Sequence, residues 1–471
     1  MKGHHMTKRV IMLEFNELSP SLMDRFIGEG HLPGFEALRA QSTVCVTDAE
    51  EDPPALEPWI QWVTVHTGLR YAEHGVFDLG DGPKLAANRL WDVISEEGGT
   101  VWVCGSMNAA IQAAHLKGLV LPDPWAVGLA PYPEDKLKPY YRLVQTYVQE
   151  YARETVPLGG SDYLNFAWFM LRNGLSLETV SQVAGQLLSE RFGKPRANRA
   201  VLLDRLQWDL FRHHYRRLRP DLATFFLNST AHYQHYYWRA QDPDGFALKP
   251  SDTEVRDYSN TILLGYQKMD ALVRECFEIA DEETTIILCT ALSQQPMHKY
   301  DSSGGKQVFK PADVAGLMNF AGITARHRYA PVMAEQFHLI FDSEADAQSV
   351  ERALNALTLE DGSPLMSARS EGAQVFAGCI VNKEPASSVR IASPRSNERP
   401  RFGEAFIAVG GVKSGMHHRD GILWIRTPDR RHNIVDRRVS LTEIAPTVMA
   451  LSGRNASTHF KSAPMPELAL N

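Results

Sequence analysis

Short apolar runs separated by helical segments are the feature of this sequence that most restricts its fold. Runs rich in β-branched and other apolar residues occur at 9–15, 100–104, 222–227 and 284–289, and the stretches between them show helical periodicity. Runs that are apolar throughout are typical of strands buried on both faces. The pattern predicts an α/β fold with a mostly parallel central sheet flanked by helices, and functional residues are expected at the carboxyl ends of the strands.

Two long segments interrupt this pattern. One is rich in aromatic and helix-forming residues without a clear strand, which predicts a helical insertion. The other combines apolar strands such as 337–341 with an amphipathic helix at 345–357 and a Ser/Pro/Arg-rich loop, which predicts a small α+β cap. The predicted division is core at 6–124, helical insertion at 125–219, core at 220–298, cap at 299–401 and core at 402–471.

Composition excludes several classes of protein. With 49 basic and 56 acidic residues among 471, the formal charge is −7, which provides no general attraction to nucleic acid or anionic lipid. The five cysteines form no Cys-x-x-Cys pair, which argues against a disulfide framework or a thiolate metal site.

No apolar stretch is long enough to span a membrane, and no signal peptide follows Met6, so a cytoplasmic protein is expected. Residues 1–5, including two histidines, resemble the remnant of a purification tag, so no functional role is expected for them.

Polar side chains follow several of the apolar runs. In an open α/β sheet such strand ends meet over one crevice, so these residues together predict a polar pocket. Any single one of them is more often a helix cap, a loop hydrogen bond or a packed core residue. The group comprises Glu14, Asn16, Glu57, Trp59, Gln61, Trp62, His66, Asn228, His232, His235, Gln294, His417 and His418.

Five segments resemble the alkaline phosphatase superfamily, and the type I phosphodiesterase/nucleotide pyrophosphatase branch is nearest. These are EFNELSPSLMDRFIGEGHLPGFEALRA, PWIQWVTVHTGLRYAEHGVFD, NSTAHYQHYYW, SGMHHRDGILWI and SLTEIAPTVMALSG. The resemblance implies an alkaline-phosphatase-like fold and a hydrolase or transferase. It also implies two metal ions, usually zinc, bound by Asp and His, and a Thr, Ser or modified Cys that attacks a phosphate or sulfate ester.

The sequence departs from that family at most of the implied catalytic positions. The nucleophile position falls on Pro58, beside Glu57, and therefore has no hydroxyl. An Asp ligand is replaced by Ala231, and the family's Asp-His-Gly is matched by Ala291-Leu292-Ser293. A two-metal site needs about six ligands, so the dinuclear centre is expected to be absent.

Three of the implied ligands are retained. They are Glu14, His235 and His417, which would bind at most a single divalent metal. No cofactor is otherwise expected, and the sequence leaves the oligomeric state open.

The leading functional hypothesis is a metal-independent enzyme with Glu/His acid–base or glutamate-nucleophile chemistry. Its substrate would be a carbohydrate-like or phosphorylated metabolite, which means a small molecule that is either sugar-like or anionic. The expected catalytic residues are Glu57, as the main catalytic carboxylate, together with Glu14, His235 and His417. Substrate contacts are expected from Asn16, Trp59, Gln61, Trp62, His66, Asn228, His232, Gln294, His418 and Arg419.

Two alternatives remain open from the sequence. One is a catalytically inactive protein that binds a ligand or partner in the same crevice. The other is a residual single-metal phosphodiesterase or phosphotransferase. Under each of these hypotheses, the candidate cations for a phosphate or carboxylate of the ligand are Arg239, Lys413 and Arg419.

Overall fold

The strands of this computed structural model form one large sheet and several small ones. The residues described are 8–126, 128–149, 158–192, 198–332, 336–455 and 460–468. In chain order the strands are β1 (Arg9–Phe15), β2 (Thr43–Asp48), β3 (Val101–Cys104), β4 (Gly118–Leu121), β5 (Leu222–Leu227), β6 (Thr284–Cys289), β7 (Ser293–Pro296), β8 (Phe309–Pro311), β9 (Arg328–Pro331), β10 (Gln336–Ile340), β11 (Thr358–Leu359), β12 (Met366–Glu371), β13 (Gln374–Cys379), β14 (Ile391–Ala392), β15 (Phe406–Ala408), β16 (Gly415–His418), β17 (Asp420–Arg426) and β18 (Asn433–Ser440).

The helices lie between these strands and cover both faces of the large sheet. In chain order they are α1 (Pro20–Gly28), α2 (Pro33–Arg39), α3 (Pro58–Thr67), α4 (Tyr71–His74), α5 (Leu90–Glu96), α6 (Glu134–Gln149), α7 (Gly160–Arg172), α8 (Leu177–Arg191), α9 (Arg199–Leu218), α10 (Ser229–Gln241), α11 (Asp252–Tyr258), α12 (Thr261–Ile279), α13 (Val314–Phe320), α14 (Glu344–Asn355), α15 (Phe402–Ala405) and α16 (Ile444–Leu451).

The central sheet has eight strands in the order β18-β2-β17-β6-β1-β5-β3-β4. The strands from β6 to β4 are parallel to one another, whereas β17 runs antiparallel to both of its neighbours. One hydrophobic cluster packs on each face, with Trp102 and Trp208 on one side and Trp62 and Trp91 on the other. The prediction of a mostly parallel sheet covered by helices is confirmed, and β1, β5 and β6 have the predicted bounds.

The segment predicted as a helical insertion contains α6, α7, α8 and α9. Of these, α9 packs directly on the central sheet, where Phe211 stacks on Trp102 with ring centroids 6.3 Å apart. That helix therefore belongs to the layer that covers the sheet. The boundaries 125 and 219 remain predictions.

The segment predicted as a cap contains a second sheet of order β12-β13-β10-β9, on which α14 packs. Its buried residues form a hydrophobic cluster separate from the two that cover the central sheet. The cap meets the core where Arg369 of β12 lies over the Phe77 ring, 5.3 Å from its centroid, and 3.8 Å from the Asp78 carboxylate. Across the described ranges, none of the helices combines the length and apolar character that crossing a bilayer requires.

Candidate active site

The candidate site lies at the carboxyl end of β1, where the chain places Glu17 in a left-handed backbone conformation with φ of 60°. Residues other than glycine seldom adopt this conformation, and where they do the surroundings usually enforce it. Here the Gln234 side-chain amide donates to the Glu17 carbonyl at 2.7 Å, and the Glu17 N–H donates to the Thr290 carbonyl at 3.4 Å. The Glu17 side chain is only 1% exposed, so its carboxylate needs partners inside the protein.

Two side-chain amides bind the Glu17 carboxylate. Asn16 Nδ2 donates to Oε1 at 2.7 Å, and Gln294 Nε2 donates to Oε2 at 2.5 Å. The amide orientations follow from their other contacts. The Trp62 indole N–H, which can only donate, is 2.8 Å from Asn16 Oδ1, and Gln294 Nε2 also donates to the Ala231 carbonyl at 2.9 Å. Glu17 therefore accepts from both amides, as an ionised carboxylate does.

His235 and His417 face the same oxygen of Glu17. The Nε2 atom of each ring is 3.3 Å from Glu17 Oε2. Their Nδ1 atoms contact backbone carbonyls, His235 that of Gly415 at 3.2 Å and His417 that of Leu56 at 2.9 Å. Because a carbonyl only accepts, each Nδ1 carries the hydrogen. Each Nε2 therefore has one of two states. Either the ring is protonated and Nε2–H donates to the Glu17 carboxylate, or the ring is neutral and a cation lies between its Nε2 lone pair and the carboxylate oxygen.

The two imidazoles have opposite pKa shifts. Burial lowers the pKa of both rings, and for His235 this outweighs the effect of Glu17, so its pKa lies below the usual value. For His417 the Glu17 and Glu57 carboxylates outweigh burial and raise the pKa to about 9. Burial opposes ionisation of Glu17, yet the two histidines hold the pKa of its carboxyl far below the usual range. Without a metal, the site therefore contains a carboxylate, an imidazolium and a neutral imidazole near pH 7.

The ribbon of β7 and β16 positions two of these side chains. The two strands are antiparallel, with Gln294 directly opposite His417. Gly415 begins β16 so close to α10 that a Cβ there would meet the Gln234 carbonyl and Gln294 Oε1. This close approach allows the Gly415 carbonyl to accept from His235. The glycine is thus needed for packing between the ribbon and α10.

Helix α3 brings Glu57 to the site. Glu57 is the residue before the first turn of the helix, and Pro58 occupies the first helical position. One Glu57 oxygen is 3.5 Å from His417 Nδ1, and the side chain is 32% exposed. Glu57 therefore contacts both solvent and the histidine. The implied nucleophile position is a proline at the start of the helix, without a hydroxyl.

Glu14 lies elsewhere, so the expected triad of Glu14, His235 and His417 does not form. Glu14 is still within β1, and its side chain is fully buried. Its oxygens accept from Ser106 Oγ at 2.6 Å and contact His66 Nε2 at 2.8 Å. Glu17, beyond the last paired residue of the strand, takes the place that was expected for Glu14.

The other predicted substrate contacts differ in how far their side chains are exposed to solvent. Asn16, Gln61, Trp62, His66 and Gln294 are all buried, so they position other groups and present no surface to a substrate in this conformation. Trp59 and Asn228 are half-buried. His232 is exposed, and its ring centroid is 5.0 Å from that of Tyr236. His418 and Arg419 are half-buried at the end of β16.

Among the candidate cations, two are already paired. Arg419 contacts Asp48 at 2.7 Å, and Arg239 contacts Glu254 at 2.5 Å. Lys413 has no ion pair with a carboxylate in the described ranges, and its charge opposes protonation of His235 and His417. It is therefore the cation with charge available for an anionic ligand.

One metal ion fits this donor set. One ligand atom each from Glu17, His235 and His417 lies within 4.8 Å of the others, and over the described ranges this is the one such group of three or more His, Cys, Asp or Glu. Two histidines and a glutamate are a known catalytic zinc set, and zinc-bound histidines usually donate the other ring N–H to a carbonyl, as both do here. The residues do not fit the dinuclear centre that the resemblance implied, since Glu14 is occupied by His66 and Ser106.

Glu17 is the candidate site residue that the sequence pattern did not indicate. The segment 14–17 contains two glutamates, and Glu14 was matched to the implied ligand position. A strand alternates its side chains between the two faces of the sheet, so a residue still inside β1 points into a packed layer. The end of the apolar run at Phe15 was the available signal, because the first residues after a strand reach the crevice.

One family model matches this chain, and several solved structures are similar to it. Residues 10–354 match the family model described as type I phosphodiesterase / nucleotide pyrophosphatase. No curated protein sequence matched the chain. Similar solved structures include wild-type alkaline phosphatase PafA, with TM-score 0.45, 12% identity and coverage of 98% of both chains.

Two further structures have comparable similarity. Phosphonoacetate hydrolase from Sinorhizobium meliloti 1021 has TM-score 0.41 and 11% identity, and covers 95% of this chain and 96% of its own. Murine ectonucleotide pyrophosphatase / phosphodiesterase 5 has TM-score 0.41 and 8% identity, with the same coverage.

The family match extends over most of the chain. It includes β1, α3 and α10, which position Glu17, Glu57 and His235, whereas His417 on β16 lies outside it. The chain belongs to the type I phosphodiesterase/nucleotide pyrophosphatase family, and thus to the alkaline phosphatase superfamily, as the resemblance implied.

Proposed function

We propose that the protein is a hydrolase or phosphotransferase that acts on a phosphorylated small molecule with one divalent metal at Glu17, His235 and His417. The observation that carries the proposal is the tautomer of the two histidines. Both Nδ1–H groups donate to carbonyls, so both Nε2 atoms converge on one carboxylate oxygen. The family supports a phosphorylated substrate.

The residues around this group have separate roles. A divalent metal at these three side chains would polarise a phosphoryl oxygen and offset its charge. Lys413 binds the remaining negative charge of the substrate. Pro58 offers no hydroxyl or thiol, so the nucleophile is a water or an alcohol. Glu57 is partly exposed and removes the proton from it. Asn16 and Gln294 hold the Glu17 carboxylate in place.

A second candidate is the metal-independent enzyme expected from the sequence. It is favoured by the opposite pKa shifts, since a neutral His235 could accept a proton while a protonated His417 donates one. A third candidate is a binding protein that holds an anionic ligand without turnover.

Metal analysis separates these candidates. Protein freed of residues 1–5 is dialysed against chelator, reloaded with zinc or manganese, and assayed for metal content and for hydrolysis of aryl phosphate mono- and diesters. The proposal expects about one metal per chain, lost in Glu17→Gln but retained in Glu14→Gln, and turnover that requires the metal.

The control variant Glu14→Gln tests whether any buried glutamate at the end of β1 is needed. Turnover unchanged by chelator would favour the metal-independent enzyme. Tight ligand binding without turnover under all metal conditions would favour the binding protein. Two metals per chain would contradict the single-site assignment.

A further inference from the structure

Four lysines from separate segments of the chain lie together beside the candidate active site. We call them the lysine cluster: Lys299, Lys306, Lys383 and Lys413. Among the described residues, none of the four has an ion pair with a carboxylate, whereas a lysine such as Lys138 on α6 contacts Glu134 at 2.9 Å. The chain as a whole has a formal charge of −7, so this concentration of unpaired positive charge is local.

Two lysines of the cluster are directly opposite each other. Lys306 and Lys413 form an isolated antiparallel bridge, in which the Lys413 N–H donates to the Lys306 carbonyl at 2.7 Å. Directly opposed residues of an antiparallel pair point to the same face with Cβ atoms about 5 Å apart, and like charges at such positions destabilise the pair. Both residues are half-buried. An anion bound by both ammonium groups would remove this repulsion.

The loop before Lys306 brings the other two lysines to this pair. The Nζ atoms of Lys299 and Lys306 lie 5.7 Å and 6.0 Å from the centroid of the Tyr300 ring. Lys383 reaches the same loop, because a Cβ on Gly304 would be only 3.1 Å from Lys383 Nζ. An aromatic ring attracts an ammonium group but carries no net charge. The positive charge of the cluster therefore stays available for a ligand.

The acidic residues next to these lysines in the sequence do not neutralise them. Asp301 contacts the His298 ring at 3.5 Å and accepts from the Ala247 N–H at 2.9 Å. Glu384 is exposed and has no ion pair within the described ranges. An anion from outside the chain is thus the partner that the lysine cluster lacks.

The ribbon of β7 and β16 connects the lysine cluster to the candidate active site. Gly415 is paired with Pro296 at one end of this ribbon, and from that end one strand leads to Lys413 and the other to Lys299. Lys413 precedes His417 by four residues, which span about 13 Å when fully extended. The charge of Lys413 acts to lower the pKa of His417, so the two side chains are within electrostatic range. One small molecule can therefore contact both places.

We propose that the lysine cluster binds a second anionic group of the substrate, either a phosphate or a carboxylate. The proposal rests on the function inferred for Glu17, His235 and His417, where the reacting phosphoryl group binds. It narrows the substrate to a phosphorylated small molecule that carries two separate anionic groups. The lysines act by charge alone, as point charges that attract an anion, and Lys306 is the residue that determines specificity for the second group.

Phosphate binding by the metal-free protein tests the cluster without requiring metal or turnover. The full chain is treated with chelator and titrated with inorganic phosphate by calorimetry. The wild type should bind phosphate. Lys306→Gln and Lys383→Gln should each bind about tenfold more weakly, since each loses one charged donor. The control Lys138→Gln also removes a lysine charge, but on α6, and should bind as the wild type does.

The zinc-loaded protein tests the substrate class. Three rigid aryl phosphates are compared: phenyl phosphate, para-carboxyphenyl phosphate and para-phenylene bisphosphate. For the two substrates with a second anionic group, Lys306→Gln should raise KM about tenfold relative to KM for phenyl phosphate, with the effect in KM and not in kcat. A larger rise for the bisphosphate would identify the second group as a phosphate, and a larger rise for the carboxylate would identify it as a carboxylate.

Urea unfolding without phosphate checks the variants. Lys306→Gln should not be less stable than the wild type, because it removes one of two opposed like charges. Absence of phosphate binding, or equal binding by the wild type, Lys306→Gln and Lys138→Gln, would overturn the proposal. If phosphate binding depended on Lys306 while metal binding and turnover were absent, the function proposed for Glu17 would fail and the anion site would remain.

Discussion

Glu17 is the centre of the candidate site, because a buried carboxylate must be matched by hydrogen-bond donors or cations. It has two amide donors, and two imidazoles face one of its oxygens. Replacing any one partner leaves a polar atom unsatisfied in a site from which water is largely excluded, which typically costs 1–3 kcal/mol. Glu14, three residues earlier, is equally buried but serves a different network with His66 and Ser106.

At the residue scale, metal binding should release about one proton per metal near pH 7.5. His417, with a pKa of about 9, must lose its proton to become a ligand, whereas His235 has a lowered pKa and is already neutral. Zinc affinity should accordingly rise with pH and level off above about pH 9. Calorimetry in two buffers of different ionisation enthalpy measures the proton count. Zero protons released by the wild type would contradict the pKa raised on His417.

In the metal-free protein the same pKa shift has the opposite consequence: the free energy of unfolding falls as pH rises, whereas zinc affinity increases. The pKa of His417 is raised from 6.5 to about 9, so its ion pair with Glu17 stabilises the fold fully below pH 6.5. That contribution, on the order of 2 kcal/mol, is lost as pH rises through 9. Urea unfolding across this pH window should show the loss in the wild type and not in His417→Gln.

At the element scale, the position of β16 against α10 connects packing to the site. Gly415→Ala places a methyl group against the Gln234 carbonyl and 2.6 Å from Gln294 Oε1, which forces the ribbon of β7 and β16 outward. His417 and the carbonyl that orients His235 move with it. Zinc affinity should fall at least tenfold and the free energy of unfolding by about 1–3 kcal/mol.

Gly411→Ala is the matched control for this change, because it lies just before the same strand and a Cβ there meets no atom within 4 Å. The two variants are compared by zinc titration and urea unfolding. If Gly415→Ala bound zinc as Gly411→Ala does, the ribbon would not be what positions the histidines.

At the scale of the whole molecule, Asp78 marks the contact between core and cap. Burial, with Asp81 nearby, raises the pKa of Asp78 to about 6, and the Arg369 guanidinium at 3.8 Å opposes this only in part. The folded state thus binds this proton more tightly than the unfolded state. The charge of Asp78 therefore costs stability as pH rises through 6.

Asp78→Asn should increase the free energy of unfolding by on the order of 2 kcal/mol at pH 8, with little gain near pH 4. Urea unfolding at both pH values measures the difference. Asp342→Asn, at an exposed carboxylate of the cap, serves as the control and should change little at either pH. A loss of stability for Asp78→Asn at pH 8 would mean that the cap depends on the charge paired with Arg369.

The architecture follows from local pattern to a large extent. Runs of apolar, β-branched residues predict buried strands because strand propensity and the preference for burial are properties of each side chain. The strands β1, β5 and β6 accordingly have the predicted bounds. The Pro20 start and Gly28 end of α1 follow from local helix signals in the same way. The antiparallel direction of β17 was not predictable, since no residue encodes the direction of a strand relative to its neighbour.

The sequence by itself determined the family and the α/β sheet, and it predicted that His235 and His417 lie at the same edge of that sheet. Only the tertiary structure decided which glutamate joins them. Glu14 and Glu17 are chemically identical and three residues apart, and the choice depends on where β1 leaves the sheet and on which side chains other strands bring to meet each carboxylate. Asn16, Gln294, His235 and His417 come from segments far apart in the chain. Their convergence is a property of the packed fold. A buried carboxylate is stable only where donors from such separate segments surround it.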